Sequence, residues 1–290
     1  MGAKNLSVRC LSLNQITPNQ VGLERILAIA NRFLTQQPQF IVREQIEKLP
    51  YAPKQRSELL SLMPPTIPEP LSIEARPEEA LQWATDRYLP YRRWEIVVKR
   101  APIGERLSDE IAASFEDWML LHYPNLKVDA VDNSYLNYNV AYLVMQLCQQ
   151  HPVLWVVVDG LGWLDHIQLL QYLKESTNFV EQTSIEPRFS ILPTKTEYAK
   201  WSLYSQLPCN DSDWQQDMSK VFPKLGIGAR YTDLRDNRLY EDLHQSKHKL
   251  YCLDTEQLDK LYHSERDLDS LHSLNAKMYL NELPIRLATV

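Results

Sequence analysis

Between residues 135 and 260 the spacing of apolar positions changes period several times. Leu136, Val140, Leu143 and Leu147 recur at three- and four-residue intervals, which predicts a helix. Val153 to Val158 then runs apolar without interruption, the mark of a strand covered on both faces. Ile167, Leu170 and Leu173 return to helical spacing. Shorter strands are predicted at 189–192, 227–231 and 249–253. Helix, continuous apolar strand, helix is the order of a parallel α/β sheet with flanking helices.

Upstream of residue 130 the pattern is mostly helical and broken by prolines. Pro77, Glu78 and Glu79 suit the first turn of a helix carrying Leu81, Ala84 and Tyr88 on one face. Ser108 is placed to cap a second helix, with Asp109 and Glu110 in its first turn and Ile111, Phe115 and Trp118 at i, i+4 and i+7. Pro124 is expected to end it. The chain therefore reads as a mostly helical region, 1–130, followed by an α/β region, 131–290. Arg92, Arg93, Lys99 and Arg100 cluster between the two helices and read as solvated surface.

Composition narrows the function classes. The 290 residues are 44% hydrophobic, enough for a proper core, and the net charge of −6 provides no general attraction to nucleic acid or anionic membrane. A phosphate-bearing partner must then be bound locally. Cys10, Cys148, Cys209 and Cys252 form no CxxC pair, so neither a disulfide framework nor a zinc knuckle is expected, and a reducing cytoplasm fits best. The longest apolar run is far short of the roughly 20 residues that cross a bilayer, so no membrane is expected.

Candidate chemistry begins at "VVVDGLG". In open α/β sheets the site lies beyond the carboxyl ends of the strands, and Asp159 stands immediately after the strand. Gly160 and Gly162 let the backbone turn sharply and come close to what Asp159 holds. Capping of the following helix is the structural alternative for Asp159. Next, "ILPTKTEYAKW" delivers Thr194 and Thr196 to the start of a helix, where Thr194 and Glu197 fit a capping box. Thr194 would cap, leaving Thr196 free as a nucleophile, provided that an ion held by Asp159 lowers its pKa. Asp259 and His263, four apart after another strand, share a helix face at a spacing usable for one metal or for a surface ion pair.

These segments, "WVVVDGLGWLD", "ILPTKTEYAKWSLYSQLP" and "LDKLYH", with "YLPYRRW" and "SFEDWMLLHYP" upstream, resemble the PglZ domain of the alkaline phosphatase superfamily. The resemblance covers about residues 80 to 265. It implies an alkaline-phosphatase-like core with two divalent ions, zinc or manganese. Asp159 and Thr196 would bind one ion and Asp259 and His263 the other, and Thr196 would attack phosphorus. It implies a metal-dependent phosphodiesterase or nuclease-like hydrolase acting on a phosphoester, nucleic acid among the candidates. It also implies cytoplasmic partners in the BREX anti-phage systems, a DNA methyltransferase and ATPases among them.

The superfamily pattern continues with an adjacent Asp-His pair after a further strand. Asp165-His166 is the only such dipeptide here, and it stands too early in the order. This leaves each metal shell half built and carries a second expectation, a catalytically incomplete interaction module in a defence complex. A dinucleotide-binding reading fails because G-x-G-x-x-G is absent: Asp165 occupies the third glycine's place and would repel a pyrophosphate.

Overall fold

The computed structural model describes residues 56, 60, 63–176, 186–208, 221–233 and 235–264. The terminal row Leu268, Leu271, Leu274 and Met278, expected to cover part of the sheet, and the acidic "NDSDWQQD" stretch, weighed as a substrate entrance, lie outside them. The chain packs as two compact units, one including Gln82–Phe115 and the other including Ser72–Leu81 and the chain from Glu116 onward.

The helical unit takes in the end of α1 (Pro77–Trp83), from Gln82 onward, the π-helical turn Ala84–Tyr88 that follows it, α2 (Leu89–Val97) and the first half of α3 (Leu107–Leu126). Two sequence expectations change here. Helix α3 begins at Leu107, so Ser108 lies inside its first turn and does not cap it. The cap comes from α2 instead: the fully buried Glu95 accepts from the Leu107 amide at 3.1 Å and the Ser108 amide at 2.9 Å. A carboxylate supplied by tertiary packing outcompetes the local hydroxyl because it meets two orphan amides and the positive end of the helix together. Second, α3 continues two residues past Pro124. A proline in the last turn forfeits one backbone bond only, and the Lys127 amide still reaches the Tyr123 carbonyl at 3.1 Å.

The basic cluster is partly structural. Arg92 bonds Asp109 at 2.7 Å, and Lys99 bonds Glu95 at 3.0 Å. Burial pushes the Glu95 carboxyl upward, but hydrogen bonds from Ser108, Lys99 and Leu107 outweigh it and hold it below the ordinary glutamate range. Its stabilisation is therefore present above the unfolded carboxylate range and lost as pH falls through the lower folded value. Glu95→Gln is expected to lower stability by about 1 kcal/mol near neutral pH, as for other lost caps. The difference from wild type should shrink below about pH 4. Urea unfolding at several pH values checks both.

The second unit contains α4 (Asn139–Gln150), β1 (Val153–Val158), α5 (Trp163–Ser176), α6 (Thr196–Ser205), a 3₁₀ turn (Phe222–Leu225), β2 (Ala229–Tyr231), α7 (Asn237–His244), β3 (Leu250–Thr255) and α8 (Gln257–Ser264). The strands form a parallel three-stranded sheet, order β1-β3-β2, which makes the unit α/β as expected. Every residue of β3 is buried, while β1 is covered mainly at Trp155. The central position thus belongs to β3, a strand less continuously apolar in sequence. The stretch at 189–192 does not join the sheet: Phe189 makes one parallel bridge to Leu136.

Side-chain alternation divides the core between the two faces. On one, Trp155, Leu250 and Cys252 pack with Ala141 and Val144 of α4, Trp201 and Tyr204 of α6, and Phe222. On the other, Leu154, Val156, Tyr251 and Leu253 pack with Leu169 and Leu173 of α5 and Leu239 of α7. The inward rows differ from the expected ones. Leu143 and Leu147 of α4 and Ile167 of α5 are exposed, displaced by Ala141, Val144 and Leu169. A small residue facing the bulky Trp201 and Trp155 packs better than another leucine, so shape selects the row that hydrophobicity alone leaves open.

Candidate functional site

The register of the sheet sets two carboxylates at its carboxyl edge. Val158 pairs with Thr255, and the Asp159 amide donates to the Thr255 carbonyl at 2.9 Å, so Asp159 continues the ladder by one residue. Asp254 pairs with Val157 and shares the face of Leu250 and Cys252, toward α6. From α6 the Lys200 ammonium reaches both: Nζ lies 3.1 Å from Asp159 Oδ2 and 2.9 Å from Asp254 Oδ1. The rim residue Glu256 is 3.4 Å from the same nitrogen. Arg230 of β2 holds the other Asp254 oxygen at 2.5 Å, with its guanidinium 4.5 Å from the centre of the Phe222 ring.

The electrostatics balance within the cluster. Asp254 is 1% exposed, and two carboxylates face two cations in the sheet layer. Burial works against the charge on Lys200, yet Asp254 and Asp159 outweigh it and the ammonium keeps its proton above the ordinary lysine range. On the rim, the ammonium of Lys260 draws the Glu256 carboxyl downward, and Lys200 adds to it. Asp254 Oδ1 is buried and meets Lys200 by charge without the geometry of a hydrogen bond.

Asp159 is thus brought to a cation, and that cation is carried by the helix that opens with Thr196. Its side chain pairs with Lys200 and not with the first amides of α5, which leaves the capping alternative unrealised. Thr196 is the exposed first residue of α6, one turn ahead of Lys200 on the same face. Thr194 does not cap the helix. Lys195 stands at the N-cap, extended (φ −58°, ψ 138°) and without a side-chain capping bond, so T-x-x-E is one residue out of phase with the helix start and Glu197 falls in the second position.

Gly160 has φ +80°, and a Cβ there would lie 3.0 Å from the backbone N and Cα of Asp259. Its glycine is required twice, by conformation and by the close approach of α8. Gly162 accepts the Asp165 and His166 amides at the start of α5. Asp259 and His263 meet each other at 3.5 Å, with the imidazole 81% exposed, as an i, i+4 pair. His166 packs on Trp163 within α5, and burial lowers its pKa.

Asp254, Lys200 and Arg230 were not among the residues singled out from the sequence. The available signal was the repetition of an apolar strand ending in aspartate, "LYCLD" after "WVVVD". Nothing local marks Lys200, which stands between Ala199 and Trp201 in a helical stretch of mixed polar and aromatic residues.

Among the described residues no group of three or more His, Cys, Asp or Glu side chains is arranged around a metal position. The donor chemistry at the sheet edge nevertheless fits a divalent ion: Asp159 and Asp254 are hard oxygen donors converging on one cation, and Asp254 Oδ1 is buried without a hydrogen-bond donor. Also among the described residues, Cys252 is fully buried, and burial pushes its thiol up to about 11, which makes it part of the core and no nucleophile.

The fold and site together define a parallel α/β unit with a buried carboxylate–ammonium cluster beyond the carboxyl ends of its strands. No protein-family model matches the chain, and no curated protein matches it. Among the described residues, no helix is long and apolar enough to cross a membrane.

Proposed function

We propose that this chain carries a PglZ-type phosphoester hydrolase site of the alkaline phosphatase superfamily, with Thr196 as nucleophile and a bacterial anti-phage complex as its setting. The observation that carries the reading is the bond from Lys200 to Asp159, which ties the helix opening with Thr196 to the carboxylate after β1. One divalent ion, zinc or manganese, would be held by Asp159, Asp254 and Thr196, and a second by Asp259 and His263. Such ions lower the pKa of a bound alcohol and offset charge on phosphoryl oxygens.

The chain's own residues would do the rest. Thr196 Oγ1 gives its proton to water and forms a bond to phosphorus, while the ester oxygen leaves with the bonding electrons and takes a proton back from water. Water then cleaves the threonyl phosphate and restores the hydroxyl. The positive end of the α6 dipole favours the anionic phosphoryl group. With a net charge of −6, recognition of a nucleic acid would rest on such local contacts.

A second reading, an interaction module without chemistry in a defence complex, is favoured by one observation: Lys200 already meets the charge of Asp159 and Asp254. Hydrolysis of bis(p-nitrophenyl) phosphate with zinc or manganese separates the two. Wild type should turn over, Thr196→Ala should fall to background, and Thr194→Ala should stay within a few-fold of wild type. A wild type inactive with both metals, or an active Thr196→Ala, sinks the hydrolase reading.

A further inference from the structure

We infer that Lys200 is a built-in cation holding the place a divalent ion takes between Asp159 and Asp254, so that binding of the ion and withdrawal of Lys200 are one event. The inference rests on the metal-dependent reading above and adds its regulation. Lys200 Nζ is within 3.1 Å of Asp159 and 2.9 Å of Asp254. Arg230 occupies the second Asp254 oxygen. Asp159 and Asp254 thereby face two cations, and the rim Glu256 is matched by Lys260 at 3.2 Å, so a divalent ion added beside the ammonium would leave excess positive charge in a largely buried place, which is costly. Ion and ammonium therefore exclude each other.

The fold also supplies the displaced lysine with somewhere to go. Glu256 lies 3.4 Å from the same nitrogen, and its side chain is 46% exposed at the rim, whereas that of Lys200 is 12% exposed. A lysine has a flexible four-carbon stem and a point charge without directional demand, so rotation toward Glu256 exchanges two buried partners for one exposed partner and water. The consequence is a metal site that stays closed at low ion concentration and opens by mass action.

The test is binding of Mn²⁺ to the full chain by titration calorimetry, for wild type, Lys200→Met, Lys200→Arg and Lys200→Met with Asp159→Asn. Lys200→Met should bind Mn²⁺ at least tenfold more tightly than wild type, Lys200→Arg no more tightly, and Asp159→Asn should abolish the gain. If wild type and Lys200→Met bind equally, the exclusion is wrong and the metal reading stands. If neither binds Mn²⁺ or Zn²⁺, the metal-dependent reading falls and takes this inference with it. A measurement on wild type avoids any folding defect of the variants: labelling of Lys200 by an amine-reactive reagent, read by peptide mass. Saturating Mn²⁺ should accelerate that labelling, and an unchanged or slower rate overturns the inference.

Discussion

Asp254→Ala should destabilise the α/β unit by about 3 kcal/mol or more, the cost expected when one partner of a buried ion pair is removed. Asp254 is 1% exposed in the central strand and, among the described residues, is the one carboxylate touched by both Lys200 and Arg230. Without it Arg230 loses its only ion pair among the described residues, and Lys200 keeps Asp159 and the rim Glu256. Asp254→Asn preserves the shape and isolates the charge. Adding Arg230→Met to Asp254→Asn should recover part of the loss, because the cation left without a partner is then removed as well. Urea unfolding of wild type, Asp254→Asn, Arg230→Met and the double variant measures this cycle, with Asp254→Ala beside them. A loss below about 1 kcal/mol for Asp254→Ala, within the range of exposed pairs, would show that the cluster is solvated and not buried.

Gly160→Ala should cost about 2–6 kcal/mol, from two separable causes. A non-glycine residue at φ +80° bears backbone strain of about 1–3 kcal/mol. The added methyl group also meets Asp259 N and Cα at 3.0 Å, where backbone and not a flexible side chain must give way, at about 1–3 kcal/mol for overpacking. Gly226 provides the control: its φ is +69°, and a Cβ there meets nothing within 4 Å. Gly226→Ala should therefore show the strain alone, and the difference between the two variants measures the contact. Because the turn at Gly160 follows Asp159, its displacement should also weaken the Asp159–Lys200 pair. Equal losses at the two glycines would mean that α8 does not press on the turn.

Much of the architecture was legible in the order of apolar segments. Val153 to Val158 announces a strand by its uninterrupted hydrophobicity, and strand β3 at Leu250–Thr255 overlaps the expected stretch. A parallel sheet with helices on both faces follows from that order, because strands hydrophobic on both sides need two covers. Asp159 and Gly160 were legible for the same reason, since topology puts the residue after a strand at the carboxyl edge of the sheet and a sharp turn there demands glycine.

Helix caps were less legible. Ser108 and Thr194 carry the right side chains for capping, but α3 takes its cap from Glu95 across the unit and α6 starts one residue beyond the pattern. A cap depends on which backbone atom lies within about 3 Å of the oxygen, and local sequence does not specify that distance.

What the sequence by itself determined is the chemistry available at the sheet edge: a carboxylate after β1, a glycine turn, and a threonine opening a helix. Periodicity and residue type encode these within a few positions. What only the tertiary structure decided is which charges meet. Asp254, Lys200 and Arg230 come from β3, α6 and β2, separated by as many as 54 positions, and only the register of β1 on β3 and the packing of α6 on one face bring them together. A buried charge is tolerable only with its counter-charge in contact, so the fold had to choose the partners that the linear sequence leaves unpaired.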